Sequence, residues 1–175
     1  MKQKPLSPLP ALLCNIALLY VLYLLCRVVY VWEMWDVYAA GWGELNVGQL
    51  LWGGLRFDTA AICYTNIVWG VMVLLPIGER VRKSRCWHIV EKGLYVVVNT
   101  LALWLNLFDT VYSRYTGRRT TGSFATEFAG EGNLGSIFFT ELGNHWYLVL
   151  IGIGFLAALI LLYRPSKTKN KKQSF

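Results

Sequence analysis

An all-α, polytopic membrane protein is the fold class this sequence predicts: a bundle of about four transmembrane helices plus short interfacial helices. Three observations carry that expectation. Of the 175 residues, 55% are hydrophobic and only 15% charged, whereas a soluble domain carries about 25% charged residues; mean hydropathy is +0.42. The apolar residues gather in blocks of roughly 18–22, the length that crosses about 30 Å of hydrocarbon at 1.5 Å per residue. The basic residues behind the net charge of +7 flank those blocks in short runs: Lys2 and Lys4, then Arg80, Arg82, Lys83 and Arg85, then Lys167 through Lys172. Runs at helix ends set topology and touch anionic headgroups. No aromatic–basic platform accompanies them, so nucleic acid is not an expected partner. The length suits a single transmembrane domain.

The first span is expected at residues 9–31. Lys2 and Lys4 precede it as they would a signal peptide, but the apolar run Ala11–Cys26 continues through Val28–Trp32 without a small-residue cleavage pattern, so it reads as a retained anchor. Residues 32–56 read as an outward loop. In it Trp32, Trp35, Tyr38 and Trp42 alternate with Glu33, Asp36 and Glu44, and indole and phenol rings favour the headgroup layer. Asn46 suits a helix cap before Val47, but Val47–Leu55 is too short to span, and Arg56, Phe57 and Asp58 interrupt it.

The second span is expected at 57–76, ended by Pro76 and Gly78. Glu79–His88 is a basic loop, and the third span covers 89–108. A long outward loop, 109–145, opens with Asp109, Tyr112 and Arg114 and then turns rich in glycine and threonine; its apolar patch Gly135–Leu142 is interfacial in length. The fourth span is 146–163, followed by Arg164, Pro165 and the lysine tail. The N-terminus, the Glu79–His88 loop and the C-terminal tail hold the basic residues, while Trp32–Asn46 holds none. This places both termini in the cytoplasm. Arg114, Arg118 and Arg119 run against that bias.

Ionisable groups at membrane depth are costly unless paired, which makes them the best functional candidates. Arg27, Asp58 and Asp109 fall near the outer ends of the first three spans, a shared depth that permits a structural polar cluster joining three helices. The alternatives are simple exposure, with Arg27 snorkelling to the headgroups, and a relay or transport site. Arg114, Arg118 and Arg119, with Thr120 and Thr121, form a candidate lipid-headgroup site, because guanidinium groups bind phosphate bidentately and hydroxyls add hydrogen bonds; a solvated charge run is the alternative. Asn15, Asn66 and Asn99 are expected to hydrogen-bond between helices. Cys14, Cys26, Cys63 and Cys86 read as small buried hydrophobes, with no C-x-x-C pair. His88 and His145 border different apolar blocks and read as interfacial. No nucleophile–base set, phosphate-binding loop or metal motif is visible, so no catalytic residue and no metal ligand is assigned.

Two stretches resemble a known family. Gly54-Leu-Arg-Phe-Asp-Thr-Ala-Ala-Ile-Cys-Tyr-Thr-Asn66, ending in Leu74-Leu-Pro76, resembles the second-span region of lipoteichoic-acid-synthase-like proteins, the membrane-anchored phosphoglycerol transferases and sulfatases of the alkaline phosphatase superfamily. Asn106-Leu-Phe-Asp-Thr-Val-Tyr-Ser-Arg-Tyr115, then Arg118-Arg-Thr-Thr121 and Glu127-Phe128, resembles the end of that family's third span and its external loop, and Arg27 fits as well. The resemblance implies a bacterial cytoplasmic membrane, with the chain as the N-terminal membrane domain alone. It positions an extracytoplasmic catalytic domain, which would be its partner alongside membrane lipids. The family's divalent metal and nucleophilic threonine belong to that domain, beyond Phe175, so this chain is expected to hold no cofactor. The alternative is a free-standing small membrane protein that binds lipid or a partner protein. A transporter is disfavoured because there are no inverted repeats or matched broken helices.

Overall fold

The computed structural model of the chain describes residues 6–40, 47–75, 79–82, 84–116, 140 and 143–166. Within them the chain folds into α1 (Pro8–Glu33), α2 (Trp35–Ala40), α3 (Val47–Leu74), α4 (Glu79–Arg82), α5 (Arg85–Thr116) and α6 (Trp146–Leu162). Among the described residues there is no strand, only an isolated parallel bridge between Leu6 and Ser166. Three helices, α1, α3 and α5, are long and apolar enough to cross a membrane, and α6 is a shorter apolar helix of 17 residues.

Local signals explain several helix ends. Pro8 stands in the first turn of α1, where its missing N–H is no loss and its fixed φ favours the helix. Ser84 caps α5: its Oγ accepts from the backbone N–H of Trp87 at 3.2 Å, satisfying one of the orphan donors of the first turn. The far end of α3 is closed by a side chain from another helix, since Arg82 Nη2 donates to the Val73 carbonyl. Arg82 is buried, although its run of basic residues suggested a solvated loop.

Each long helix carries a buried stripe at helical spacing. On α1 it is Asn15, Leu19, Leu22 and Cys26; on α3, Ile62, Asn66, Trp69 and Val73; on α5, Glu91, Tyr95, Asn99, Leu103 and Leu107; on α6, Leu148, Gly152, Phe155 and Leu159. The stripes meet in one core, with α5 against α1, α3 and α6, and α1 also against α3. Trp69, Tyr95 and Tyr163 pack in tilted ring contacts through it, with centroids 4.8 and 5.2 Å apart. The opposite faces are exposed yet apolar: Leu13, Val21 and Leu24 on α1, Ile67 and Val71 on α3, Leu101 and Leu105 on α5, Leu150, Ile153 and Leu161 on α6. A soluble monomer rarely exposes so continuous an apolar surface, whereas lipid tails solvate it without penalty.

Contacts at the two ends fix the helix directions. At one end Glu33, closing α1, meets Arg114 near the end of α5 and Tyr147 at the start of α6. At the other, Glu91 near the start of α5 meets Tyr163 and Ser166 beyond α6, and Leu6 N–H donates to the Pro165 carbonyl at 3.1 Å. The four long helices therefore alternate in direction, and both described chain ends lie together. The end holding Glu33 is called the outer end and the end holding Leu6 the inner end.

Boundaries differ from the sequence reading in several places, and the expected loop Glu79–His88 holds α4 and the first turn of α5. Residues 47–56, expected within the outward loop 32–56, belong to α3, which continues unbroken through Arg56, Phe57 and Asp58. Hydropathy reports the solvent a segment prefers; it does not report backbone conformation. A 28-residue helix of about 42 Å exceeds the hydrocarbon thickness of about 30 Å and can carry polar residues at its end. Likewise α5 starts at Arg85 and runs through Asp109 to Thr116, so the first turns of the expected loop 109–145 are helical. The cysteines also depart from expectation. Only Cys26 is buried, while Cys14, Cys63 and Cys86 are exposed, on faces where a thiol can meet lipid.

Candidate functional site

The most chemically distinctive place is near the outer end, between α1 and α3. Arg27 Nη2 donates to Asp58 Oδ2 at 2.7 Å, and the two side chains are 21% and 17% exposed. Gly54, one turn before Asp58 on α3, makes room for the pair: a Cβ there would fall on the Arg27 guanidinium. Beside Asp58, Thr59 Oγ1 donates to the Leu55 carbonyl at 2.7 Å and accepts from Tyr20 Oη at 2.8 Å, a second polar tie between the same two helices. The pair opens onto a cleft of about 470 Å³, lined mainly by apolar residues of both helices and also by Asn106 of α5.

The structure thus joins two members of the expected polar cluster directly. Asp109, the third, is buried on α5 beside the buried Thr110, Tyr112 and Ser113. Of the candidate headgroup residues, Arg114 is described. Its Nη1 donates to the Glu33 carbonyl and its Nη2 lies 3.4 Å from Asp36 Oδ2, so it ties α5 to the α1–α2 corner. Both side chains of that ion pair are exposed, 45% and 83%, and such pairs add at most about 1 kcal/mol. Arg118, Arg119, Thr120 and Thr121 lie outside the described residues. Tyr147 Oη donates to Glu33 Oε1 and Trp32 packs edge-on against Tyr147, completing the outer contacts.

The inner end holds a second polar network, of which the sequence reading had named only Asn15. Asn15 clamps the backbone of Arg164 twice: its Nδ2 donates to the Arg164 carbonyl and its Oδ1 accepts from the Arg164 N–H, both at 2.9 Å. Tyr95 Oη donates to the Asn15 carbonyl at 2.9 Å. Glu91, almost wholly buried, accepts from Tyr163 Oη at 3.0 Å and Ser166 Oγ at 3.2 Å. Lys92 Nζ donates to the Ile160 carbonyl at 2.9 Å. A signal for this was present: Glu91, Tyr95 and Asn99 recur every four residues on one helix face, polar groups that need partners if that face is buried.

His88 and His145 stand at opposite ends of the bundle, next to the starts of α5 and α6. Among the described residues no three of His, Cys, Asp and Glu gather as a metal site. The arrangement is an ion pair open to an apolar cleft, flanked by polar ties between helices. No family model, curated protein or solved structure matches the chain.

Proposed function

We propose that the chain is the membrane-anchor domain of a lipoteichoic-acid-synthase-like phosphoglycerol transferase or sulfatase, lying in the bacterial cytoplasmic membrane with both ends in the cytoplasm. In that role it holds an extracytoplasmic catalytic domain at the level of the lipid headgroups. One observation supports the reading above the others. Arg27, Gly54, Asp58 and Asn106, four of the residues that carry the resemblance, come from three helices and converge on one cleft near the outer end. An apolar plug needs only length and greasiness; a convergent ion pair with a glycine cut to receive it suits a bundle whose outer end must keep a defined shape. In this reading α6 is the fourth span. Its 17 residues reach about 26 Å, a shortfall that a slightly thinned bilayer or its interfacial flanks absorb. The metal and nucleophile of the family's reaction belong to the catalytic domain, so the chain alone turns over no phosphate or sulfate ester.

The test is the reading frame downstream of the Phe175 codon. A frame encoding a domain with clustered carboxylates and histidines around a threonine, in line or adjacent, supports the anchor. A downstream region with no such frame overturns it in favour of a free-standing protein that binds lipid or a partner.

A further inference from the structure

We infer that the cleft beside Arg27 and Asp58 is a binding site for one zwitterionic phospholipid, with its phosphate on Arg27, its ammonium on Asp58 and an acyl chain along the apolar wall. The inference requires only that the bundle sit in a bilayer, and it holds whether or not a catalytic domain accompanies the chain.

The wall comes first. Leu24 and Val28 of α1 and Leu51 and Phe57 of α3 line the cleft, and all four are more than half exposed. A water-soluble solute gains nothing from such a surface, whereas an acyl chain covers it at no cost. Depth agrees with a headgroup. Arg27 lies six residues before Glu33, the end of α1, so it sits about 9 Å along the axis below the outer end, from which its long side chain reaches toward the headgroup layer.

Charge then selects the class. Arg27 offers five N–H donors and a carboxylate about four acceptor sites, and the bond between Nη2 and Oδ2 uses one of each. Both groups line the cleft and each keeps part of its surface open. The pair is neutral as a unit. A headgroup with only a negative charge would gain from Arg27 and meet repulsion from Asp58 a few ångströms away. A headgroup carrying phosphate and ammonium presents the reverse order of charges, so both new contacts are attractive and form in a setting drier than bulk water, where charge-assisted hydrogen bonds are strong. Gly54 adds the last element, because any side chain there would displace the guanidinium from this position.

The experiment uses the full chain in nanodiscs of equal parts phosphatidylethanolamine and phosphatidylglycerol, with lipid retained after transfer to detergent counted by native mass spectrometry. The expected result is retention of one phosphatidylethanolamine over phosphatidylglycerol by about tenfold, a preference of about 1.4 kcal/mol. Asp58→Asn removes the ammonium's partner and keeps the phosphate's, and is expected to turn the preference toward phosphatidylglycerol. The double variant Val28→Trp, Leu51→Trp fills the cleft from its exposed wall without touching the ion pair. It is expected to lose retained lipid while keeping the wild-type thermal midpoint. Equal retention of both lipids by the wild-type chain, or undiminished retention by the double tryptophan variant, overturns the inference.

Discussion

Asn66 and Asn99 face each other in the middle of the bundle and each donates its amide to the other's carbonyl oxygen, at 2.9 and 2.7 Å. Each also donates to a carbonyl one turn back on its own helix, Ile62 and Tyr95, at 3.0 and 2.8 Å. Both amides are therefore satisfied where no water reaches, and α3 and α5 are held in one register. Asn66→Leu or Asn99→Leu alone leaves the surviving amide without its interhelical partner. In bilayer-like solvent such bonds are worth about 0.6 kcal/mol on average and up to about 1.7. Each single variant should lower stability to denaturing detergent by about 1 kcal/mol, and the double variant by clearly less than their sum. Additive losses would show that the amides do not act as a pair.

Arg27 and Asp58 make the corresponding tie between α1 and α3. Arg27→Met leaves a mostly buried carboxylate unpaired, and breaking a pair of that kind costs about 3–5 kcal/mol. A large fall in detergent stability is expected for Arg27→Met, with most of it recovered when Asp58→Leu is added. An unchanged unfolding midpoint for Arg27→Met would mean that the pair is solvated.

The inner clamp fixes where the chain leaves the bundle. Asn15 takes both backbone groups of Arg164, and Leu6 reaches Pro165. Asn15→Leu removes both bonds. Amide hydrogen exchange at Arg164 and Leu6 should speed up by about tenfold or more, while the amide of Leu19 in mid-helix stays protected. Equal rates in both proteins would assign the ordering of this corner to Glu91 and Ser166 alone.

How far the sequence exposed this design varies from residue to residue. The long apolar helices were visible because block length and composition report directly on bilayer crossing. The core asparagines were visible because an amide in such a block needs a partner. The unbroken α3 was not visible: Arg56 and Asp58 lower the local hydropathy, and only the position of Arg27 on another helix explains how the carboxylate is accommodated. Arg82 was misread for a related reason. Arg80 and Arg85 near it in sequence are exposed, but its acceptor, the Val73 carbonyl, exists only once α3 has ended beside it. That Asn15 needs a partner was visible, but that the partner is the backbone of Arg164, 149 residues away, leaves no local trace.

The alternation of helix directions, combined with the distribution of Lys and Arg, predicts sidedness. Reporters active only outside the cytoplasm should respond when fused near residues 40 and 125, and stay silent near 83 and 172. The Leu6–Ser166 bridge puts both described chain ends on one side, so activity at 172 together with silence at the N-terminus would exclude this bundle in the cell.

Whether α6 belongs to the bundle as an equal member can be decided at Gly152. This glycine lies in the buried stripe of α6, between Leu148 and Phe155, and a Cβ added there would come within 2.9 Å of the Trp104 ring on α5. Small residues at helix contacts let backbones approach closely, which is the main source of attraction where lipid removes the hydrophobic drive between helices. The indole is a rigid plane and cannot yield like the end of a flexible chain, so extra volume must separate the helices or turn the ring out. Gly152→Ala should cost about 1 kcal/mol and Gly152→Leu about 3, the range of overpacked cores. Gly154 gives the matched control. It lies on the same helix, two residues on, and a Cβ there meets nothing within 4 Å, so Gly154→Leu should be neutral or slightly stabilising through helix propensity. Thermal unfolding of the three variants in one detergent is the measurement. A loss confined to position 152 identifies α6 as packed on Trp104, whereas equal effects at 152 and 154 would mean that α6 stands apart from α5 in the lipid.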